Sequence, residues 1–451
     1  MLTALTRVFR SGRMFAEAMY QRRVPYFSLD RLLSMQREHM RRIVRHAYET
    51  APFYREFMLR QGLRPEDFRT VADLARLPLI DRTCVQEHLS AFRSGKFDPK
   101  ECIALHSGSD AITEWDQGAT LKRLAYRERD RMVWLKAGAI GLGHKQLHIV
   151  PPEESSLTAR SFWDRKVKTP RFVAERHVID PLQPYEEIVA ALERLRPDIV
   201  FSYGSYLEHF ARFVHAHGIR PAMPKVWVYS ADALSAHWRG LIEQESGCKV
   251  FSHYSTTETG QIGYECERRC GFHVHIDLVA LRLIGEDGAE AQPGEVGEVV
   301  VSNLLNRAMV LLNYRLGDLA EAAGGSCSCG RNLPLLRNLH GRVAETLQTP
   351  DGRTYSSTTL LGKFAEQLQS ALKVQVVSLA PGRILWRIVP SRNLDRDAFR
   401  IRLLQRCGEV FGETTLADVH YVEDIAATPH GKFRSVVPPA DASDERRISG
   451  G

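Results

Sequence analysis

Long apolar runs are missing from this 451-residue chain. No uninterrupted stretch approaches the roughly 20 residues that a bilayer-spanning helix needs. The opening, Met1 to Arg23, mixes apolar residues with Arg7, Arg10, Arg13, Arg22 and Arg23. It has neither an apolar core nor a small-residue cleavage site, which argues against a secretory signal and leaves a surface helix as the expectation. Charge of one sign is also scarce in any one place. The net charge is +7, with Lys and Arg spread along the chain. A nucleic-acid binder would show a basic stripe or a known module, whereas scattered cations suit small anionic ligands. Internal repeats and low-complexity tracts are absent too, so a solenoid is excluded. A cytoplasmic protein with no membrane span and no nucleic-acid partner is the expectation.

What is present is ordinary globular composition, 44% hydrophobic and 25% charged, in a chain too long for one compact core. Leu29 to Glu49 reads as a helix with the stripe Leu33, Met40, Ile43, Val44 and Ala47, started by Ser28 or Asp30. A second short helix follows Ala51-Pro-Phe-Tyr54, and Asp73 to Asp81 is an apolar segment stopped by Pro78. From Tyr185 the pattern is regular. A helix Tyr185 to Leu195 leads to strand Asp198 to Ser202, then a turn at Tyr203-Gly204-Ser205 opens another helix through about Ala216. Strand Lys225 to Ser230, a helix near Ala236 to Glu245 and a strand from Lys249 complete the run. Such alternation predicts a parallel sheet covered by helices, with ligands beyond the carboxyl ends of its strands.

After Cys270 the texture changes to short alternating strands at Leu278 to Ile284, Gly297 to Asn303 and Met309 to Tyr314. These predict a small antiparallel sheet or barrel. From about Glu345 a separate α+β unit is expected. Its helices are predicted at Ser357 to Leu372 and Asp395 to Val410, and its strands at Val374 to Val377, Ile384 to Ile388 and Val419 to Val422.

Three motifs carry chemistry. The stretch His253-Tyr-Ser-Thr-Thr-Glu-Thr-Gly260 packs hydroxyls around the carboxylate of Glu258 after a strand. Hard cations and phosphates take such oxygen groups, though a Ser/Thr-rich turn would read the same way. In Asn313-Tyr-Arg-Leu-Gly-Asp318, Gly317 permits a tight turn and Asp318 offers a carboxylate to a ribose diol; a plain Gly-Asp turn is the alternative. Ala427-Thr-Pro-His-Gly-Lys-Phe-Arg434 reads as a loop carrying Lys432 and Arg434 on a Gly hinge, or as a solvated basic loop.

In this order and spacing the three motifs resemble those of the adenylate-forming superfamily, the acyl-CoA synthetases and their relatives. More narrowly, the chain resembles the phenylacetate–CoA ligase and coenzyme-F390-synthetase-like family, from about Gln36 to about Pro438. The marks are Gln36 to Tyr54, Leu74-Ala-Arg-Leu-Pro-Leu79, Tyr254-Ser-Thr-Thr-Glu258, Pro293-Gly-Glu-Val-Gly-Glu298, Tyr314-Arg-Leu-Gly-Asp318, Cys327-Ser-Cys-Gly-Arg331 and Gly341-Arg342.

The resemblance implies a large α/β N-terminal domain over residues 1–343, with parallel sheets, flanking helices and a small β-barrel-like unit. A small mobile α+β domain over 344–451 would carry the loop lysine. It implies an ATP-dependent, AMP-forming ligase that activates an aryl or fatty acid as acyl-adenylate and passes it to coenzyme A. Thr257 and Glu258 would hold phosphate and Mg2+. Tyr254, Thr256, Asp318 and Arg342 would bind nucleotide, and Lys432 would bridge substrate carboxylate and α-phosphate. The phosphate loop would be Ser107, Gly108 and Ser109. Asp110 and Ile112 stand there in place of small residues, Ser255 replaces a common Gly, and Val-Ala-Glu345 follows Arg342 where relatives often carry Asp. Those departures keep two alternatives open: a non-CoA acceptor, or a nucleotide-binding relative without catalysis. A homodimer is the oligomeric option.

Eight cysteines complete the inventory. In a cytosolic chain the close pairs Cys266 with Cys270 and Cys327 with Cys329 suggest metal before disulfide. With His273 and His275 they offer six ligands for the four places of a tetrahedral zinc site. Cys266 with His273 matches the Cys…Gly-x-His pattern of the family, which favours Cys266, His273, Cys327 and Cys329, with Cys270 as substitute. Reduced thiols in a loop are the alternative.

Overall fold

The structure is a computed structural model that describes residues 2–106, 112–151, 158, 174–412, 414–428 and 431–437. The chain divides into two compact units: Met1–His144, Pro152–Glu175 and Phe251–Leu339 form the first, and Lys145–Pro151, Arg176–Val250 and His340–Gly451 the second. Among the described residues no helix is long and apolar enough to cross a membrane.

In the first unit, helix Leu29–Thr50 starts where the Ser28 hydroxyl accepts the Arg31 N–H, which satisfies one of the orphan donors of the first turn. Its buried stripe, Leu32, Gln36, Met40, Ile43, Val44 and Ala47, keeps the spacing of one helix face. Met40, Ile43, Val44 and Ala47 share a core with Tyr54 of helix Pro52–Arg60, with Leu74 and Ile80, and with Met309 to Leu312. Tyr54 fixes that meeting: its hydroxyl accepts the Leu312 N–H at 2.8 Å and donates to the Leu312 carbonyl at 3.2 Å.

The predicted strand Met309 to Tyr314 is therefore not a ladder strand. Asn313 has φ +59°, its N–H goes to the Ser302 hydroxyl and its side chain to the Leu77 carbonyl. The strand begins at Tyr314 and runs to Ala322. The unit's sheet has the order Val279–Ile284, Val296–Asn303, Tyr314–Ala322, Leu335–Arg342, Phe272–Val274, Gly260–Glu265, Lys249–Thr256. It is open, and every pairing with a described register is antiparallel.

In the second unit, strands His144–Ile149, Ile199–Tyr203 and Val226–Ser230 pair in parallel, as the alternation predicts. Helices Tyr185–Leu195, Gly204–Ala216 and Ala236–Ser246 supply Ile188, Leu192, Leu207, Phe210, Trp238 and Ile242 to the same core as Leu147, Val200 and Trp227. The aromatics Tyr203, Trp227 and Tyr229 are all members of that core, and the Trp227 indole N–H is spent on the Ser202 hydroxyl at 2.8 Å.

Residues beyond His340 build a four-stranded sheet in the order Leu416–Tyr421, Arg383–Pro390, Ala371–Ala380, Val436–Val437. Helix Arg396–Phe411, capped by Asp395, packs on it through Phe399, Leu403 and Phe411. The predicted helix Ser357 to Leu372 ends at Lys363. Phe364 and Leu368 turn into the core, and the carbonyls of Leu368 and Ala371 accept from the buried Arg212 guanidinium at 2.6 and 3.0 Å. A helix cannot continue while its apolar residues and its carbonyls are claimed elsewhere.

Candidate active site

The Thr/Glu motif lies on a hairpin at the end of strand Lys249–Thr256. Strand Lys249–Thr256 runs five residues past the predicted apolar core at Phe251 and turns back through 257–259 into strand Gly260–Glu265, with Thr256 opposite Gly260. The turn closes on itself: the Thr256 hydroxyl accepts the Thr259 N–H at 3.2 Å and meets the Thr259 hydroxyl at 2.9 Å. Two outside groups set its backbone. The Trp115 indole N–H donates to the Thr257 carbonyl at 3.2 Å, and the Asn303 amide donates to the Glu258 carbonyl at 3.1 Å. With both carbonyls tied down, the half-buried Thr257 and Glu258 side chains are held by a fixed turn.

Gly260 is required here. Its φ is +77°, and a Cβ would lie 2.5 Å from the Tyr126 hydroxyl and 3.4 Å from the Trp115 ring. That hydroxyl accepts the Gln261 N–H at 3.1 Å, so it is not free to move away. Beneath the hairpin, the buried Asp130 accepts from the Gln261 amide. Burial pushes its carboxyl up to about 7, against the opposing pull of Arg127 and the Gln261 amide. Burial, with Arg127, drives His253 down to about 3, so the first residue of the motif is neutral at ordinary pH.

Asp318 arrives from a different direction. On strand Tyr314–Ala322, Arg315 pairs with Val300 but Leu319 pairs with Glu298. Residues 316–318 thus oppose the single residue Val299, a bulge that re-aims side chains. Gly317, at φ +72°, sits in that bulge rather than in the predicted tight turn. The outcome joins two motifs 64 residues apart: the Tyr254 hydroxyl donates to Asp318 Oδ2 at 2.7 Å.

The phosphate-loop residues Ser107, Gly108 and Ser109 lie outside the described residues. Their flanks form the antiparallel hairpin Ile103–His106 with Ile112–Trp115. Asp116 closes that hairpin, accepting the Ala119 N–H at 2.9 Å as a helix cap and the Arg307 N–H at 3.0 Å. Asn306 adds bonds to the Glu114 and Met309 carbonyls. Trp115, Tyr126, Asn303 and Asn306 were not legible as site residues, because they act through backbone groups that a sequence does not show paired. Asp116 before a helix was the one available signal.

In the second unit, Lys432 follows Gly431 in a loop closed by the Gly431 N–H on the Thr428 carbonyl at 2.8 Å and the Thr428 N–H on the Lys432 carbonyl at 2.7 Å. Its Nζ lies 5.5 Å from the Tyr203 ring centroid, and Phe433 meets the His209 ring edge-on at 4.3 Å. Arg342, exposed, ends strand Leu335–Arg342.

The cysteine question resolves on geometry. The ligand atoms of Cys266, His273, Cys327 and Cys329 all lie within 4.8 Å of one another. Cys266 and Cys327 sulfurs are 3.6 Å apart, and Cys329 Sγ is 3.3 Å from His273 Nε2. A tetrahedral zinc with ordinary bond lengths has edges of about 3.8 Å between sulfurs and about 3.6 Å between sulfur and nitrogen, so the donor set fits that ion. His273 Nδ1 faces the Leu333 carbonyl at 3.3 Å, the outer contact that aims the other ring nitrogen inward. Burial raises the Cys266 thiol; at Cys329 it is outweighed by the Arg331 N–H and guanidinium, which lower the thiol. Cys270 is exposed, and His275 is spent on Arg129 at 2.9 Å in a buried cluster with Asp277.

Known proteins share the fold of this chain. No protein-family model matches it. It is 26% identical over 341 residues to a phenylacetate–coenzyme A ligase of Thermus thermophilus, covering 73% of this chain and 74% of that one. It is 25% identical over 317 residues to the Pseudomonas putida enzyme of the same name, covering 66% and 68%. In structure it is similar to 2-hydroxyisobutyryl-CoA ligase in complex with an acyl-AMP, with a TM-score of 0.73 at 17% identity over 95% of this chain and 94% of that one. The sequence relatives are thus named phenylacetate–CoA ligases, and the likeness to the solved ligase is one of fold.

Proposed function

We propose that the chain is an ATP-dependent, AMP-forming acid–thiol ligase that activates an aryl or fatty acid and passes the acyl group to coenzyme A. The observation that carries this is the Tyr254–Asp318 hydrogen bond beside a Thr256–Thr259 turn locked by Trp115 and Asn303. Residues far apart in sequence are held as a rigid set of hydroxyls and carboxylates, which is what a nucleotide with its metal needs. The phenylacetate–CoA ligase relatives supply the reaction class.

In the first step a carboxylate oxygen of the acid bonds to the α-phosphorus of ATP while the bond to pyrophosphate breaks. Thr257 and Glu258 would hold the phosphates and Mg2+, whose chemistry is to neutralise the leaving pyrophosphate. Asp318, aimed by Tyr254, would accept from the ribose hydroxyls, with Thr256, Arg342 and the 107–109 loop as further nucleotide contacts. Lys432 would set an ammonium against the negative charge that builds on carboxylate and phosphate. In the second step the coenzyme A sulfur attacks the acyl carbon and AMP departs. Residues 1–343 supply the nucleotide groups, and 344–451 supply Lys432.

A zinc ion held by Cys266, His273, Cys327 and Cys329 would be structural, since four protein ligands leave no open position. None of the eight cysteines is in a disulfide, which fits a reducing cytoplasm.

Incubation with ATP·Mg, pooled aryl and fatty acids and coenzyme A, read by mass spectrometry, tests the reading. AMP, pyrophosphate and an acyl thioester in equal amounts support it. Acid-dependent AMP without thioester would move the acceptor elsewhere, and ADP in place of AMP would refute the mechanism.

A further inference from the structure

Within the second unit, the lysine loop meets the start of helix Gly204–Ala216. Gly204 is pressed onto the segment after strand Val226–Ser230: a Cβ there would lie 2.7 Å from the Ala233 carbonyl carbon and 2.8 Å from the Asp232 carbonyl oxygen. This close approach seats the half-buried Asp232 carboxylate on the helix start. Ser205 donates its N–H to Oδ1 at 3.0 Å and its hydroxyl to Oδ2.

The other side of the same turn carries the lysine. Gly431 is packed so closely that a Cβ would fall 2.3 Å from Pro181 and 3.7 Å from the Tyr203 ring. Lys432 Nζ stands 5.5 Å from the centre of that ring. Burial raises the Asp232 carboxyl, and the Ser205 donors and the Lys432 charge act in the opposite direction. Asp232, held by Ser205, and Lys432, over the Tyr203 ring, thus both stand at the start of helix Gly204–Ala216.

We propose that Asp232, clamped by Ser205, is a positioning residue that keeps the Lys432 ammonium charged and oriented at the start of helix Gly204–Ala216. A lysine has a long stem and substantial rotamer freedom, and a fixed carboxylate gives it a preferred direction before an anionic substrate arrives. The inference deepens the ligase reading and rests on it for its catalytic consequence, although the proposed coupling itself does not.

The test uses the full-length ligand-free protein. Trace acetic anhydride labels lysines in wild type, Asp232→Asn, Asp232→Glu and Ser205→Ala, with mass spectrometry at Lys432, Lys96 and Lys100. A lost carboxylate favours the neutral amine, so Asp232→Asn is expected to label Lys432 about 3- to 10-fold faster, with Lys96 and Lys100 unchanged. Asp232→Glu restores the slow rate, and Ser205→Ala falls between. In ATP–pyrophosphate exchange Asp232→Asn should lower kcat about 10-fold with the KM for ATP within about 2-fold, the split expected of a lost transition-state contact. Unchanged Lys432 labelling, or all lysines shifting together, overturns the proposal. The expected labelling differences among the variants of a protein that exchanges no pyrophosphate would sink the ligase reading while supporting the Asp232–Lys432 coupling.

Discussion

The hydrogen bond between Tyr254 and Asp318 links the two nucleotide motifs, and a double-mutant cycle measures that link. Tyr254→Phe removes one donor 2.7 Å from a carboxylate oxygen without changing the ring. Tyr254 is 7% exposed, whereas Asp318 is half-exposed, so the bond is weaker than a fully buried charged one. From a range of about 1.5–3 kcal/mol for bonds to charged groups, a coupling of about 1–2 kcal/mol is expected after allowing for solvent at Asp318. That corresponds to about 5- to 30-fold in kcat/KM for ATP. The assay is acid-dependent pyrophosphate release in wild type, Tyr254→Phe, Asp318→Asn and the double variant. Strict additivity, with each single variant lowering kcat/KM independently, would show that the phenol does not aim the carboxylate.

Gly260→Ala should lower exchange activity at least about tenfold, because the left-handed backbone costs about 1–3 kcal/mol and the added carbon meets a Tyr126 hydroxyl already bonded to Gln261. The purified protein should carry about one zinc per chain; Cys327→Ser should lose it and melt at a lower temperature, while Cys270→Ser keeps it, as elemental analysis and calorimetry will show. Asp130 titrates near 7 in the fold and near 3.9 when unfolded. Its burial therefore costs nothing below about pH 4, and the cost grows to a ceiling of about 4 kcal/mol as pH rises to 7. Asp130→Asn should flatten urea stability across that window, and an unchanged slope would contradict the buried acid.

Periodicity made the parallel part of the fold readable. Helix Tyr185–Leu195 and strand Val226–Ser230 lie where apolar spacing put them, because local pattern and burial agree there. Tertiary demands decided the misses. Asn313 spends its backbone on Ser302 and Ile80, and beyond Lys363 the chain turns Phe364 and Leu368 into the core. The candidate metal ligands were legible as a set of six, and the meeting of strand Phe272–Val274 with the Cys327–Cys329 turn brings the ligand atoms of four within 4.8 Å of one another. The seating of Asp232 on Ser205 had no sequence signal, since it depends on Gly204 allowing two backbones within van der Waals contact.

The central claim is acyl-adenylate formation, and ATP–pyrophosphate exchange with pooled aryl and fatty carboxylates tests it most directly. The account predicts exchange that requires both an acid and Mg2+ and collapses in Lys432→Ala. Tight binding of Mg·ATP with no exchange for any acid would contradict it, leaving a nucleotide-binding protein without the first half-reaction.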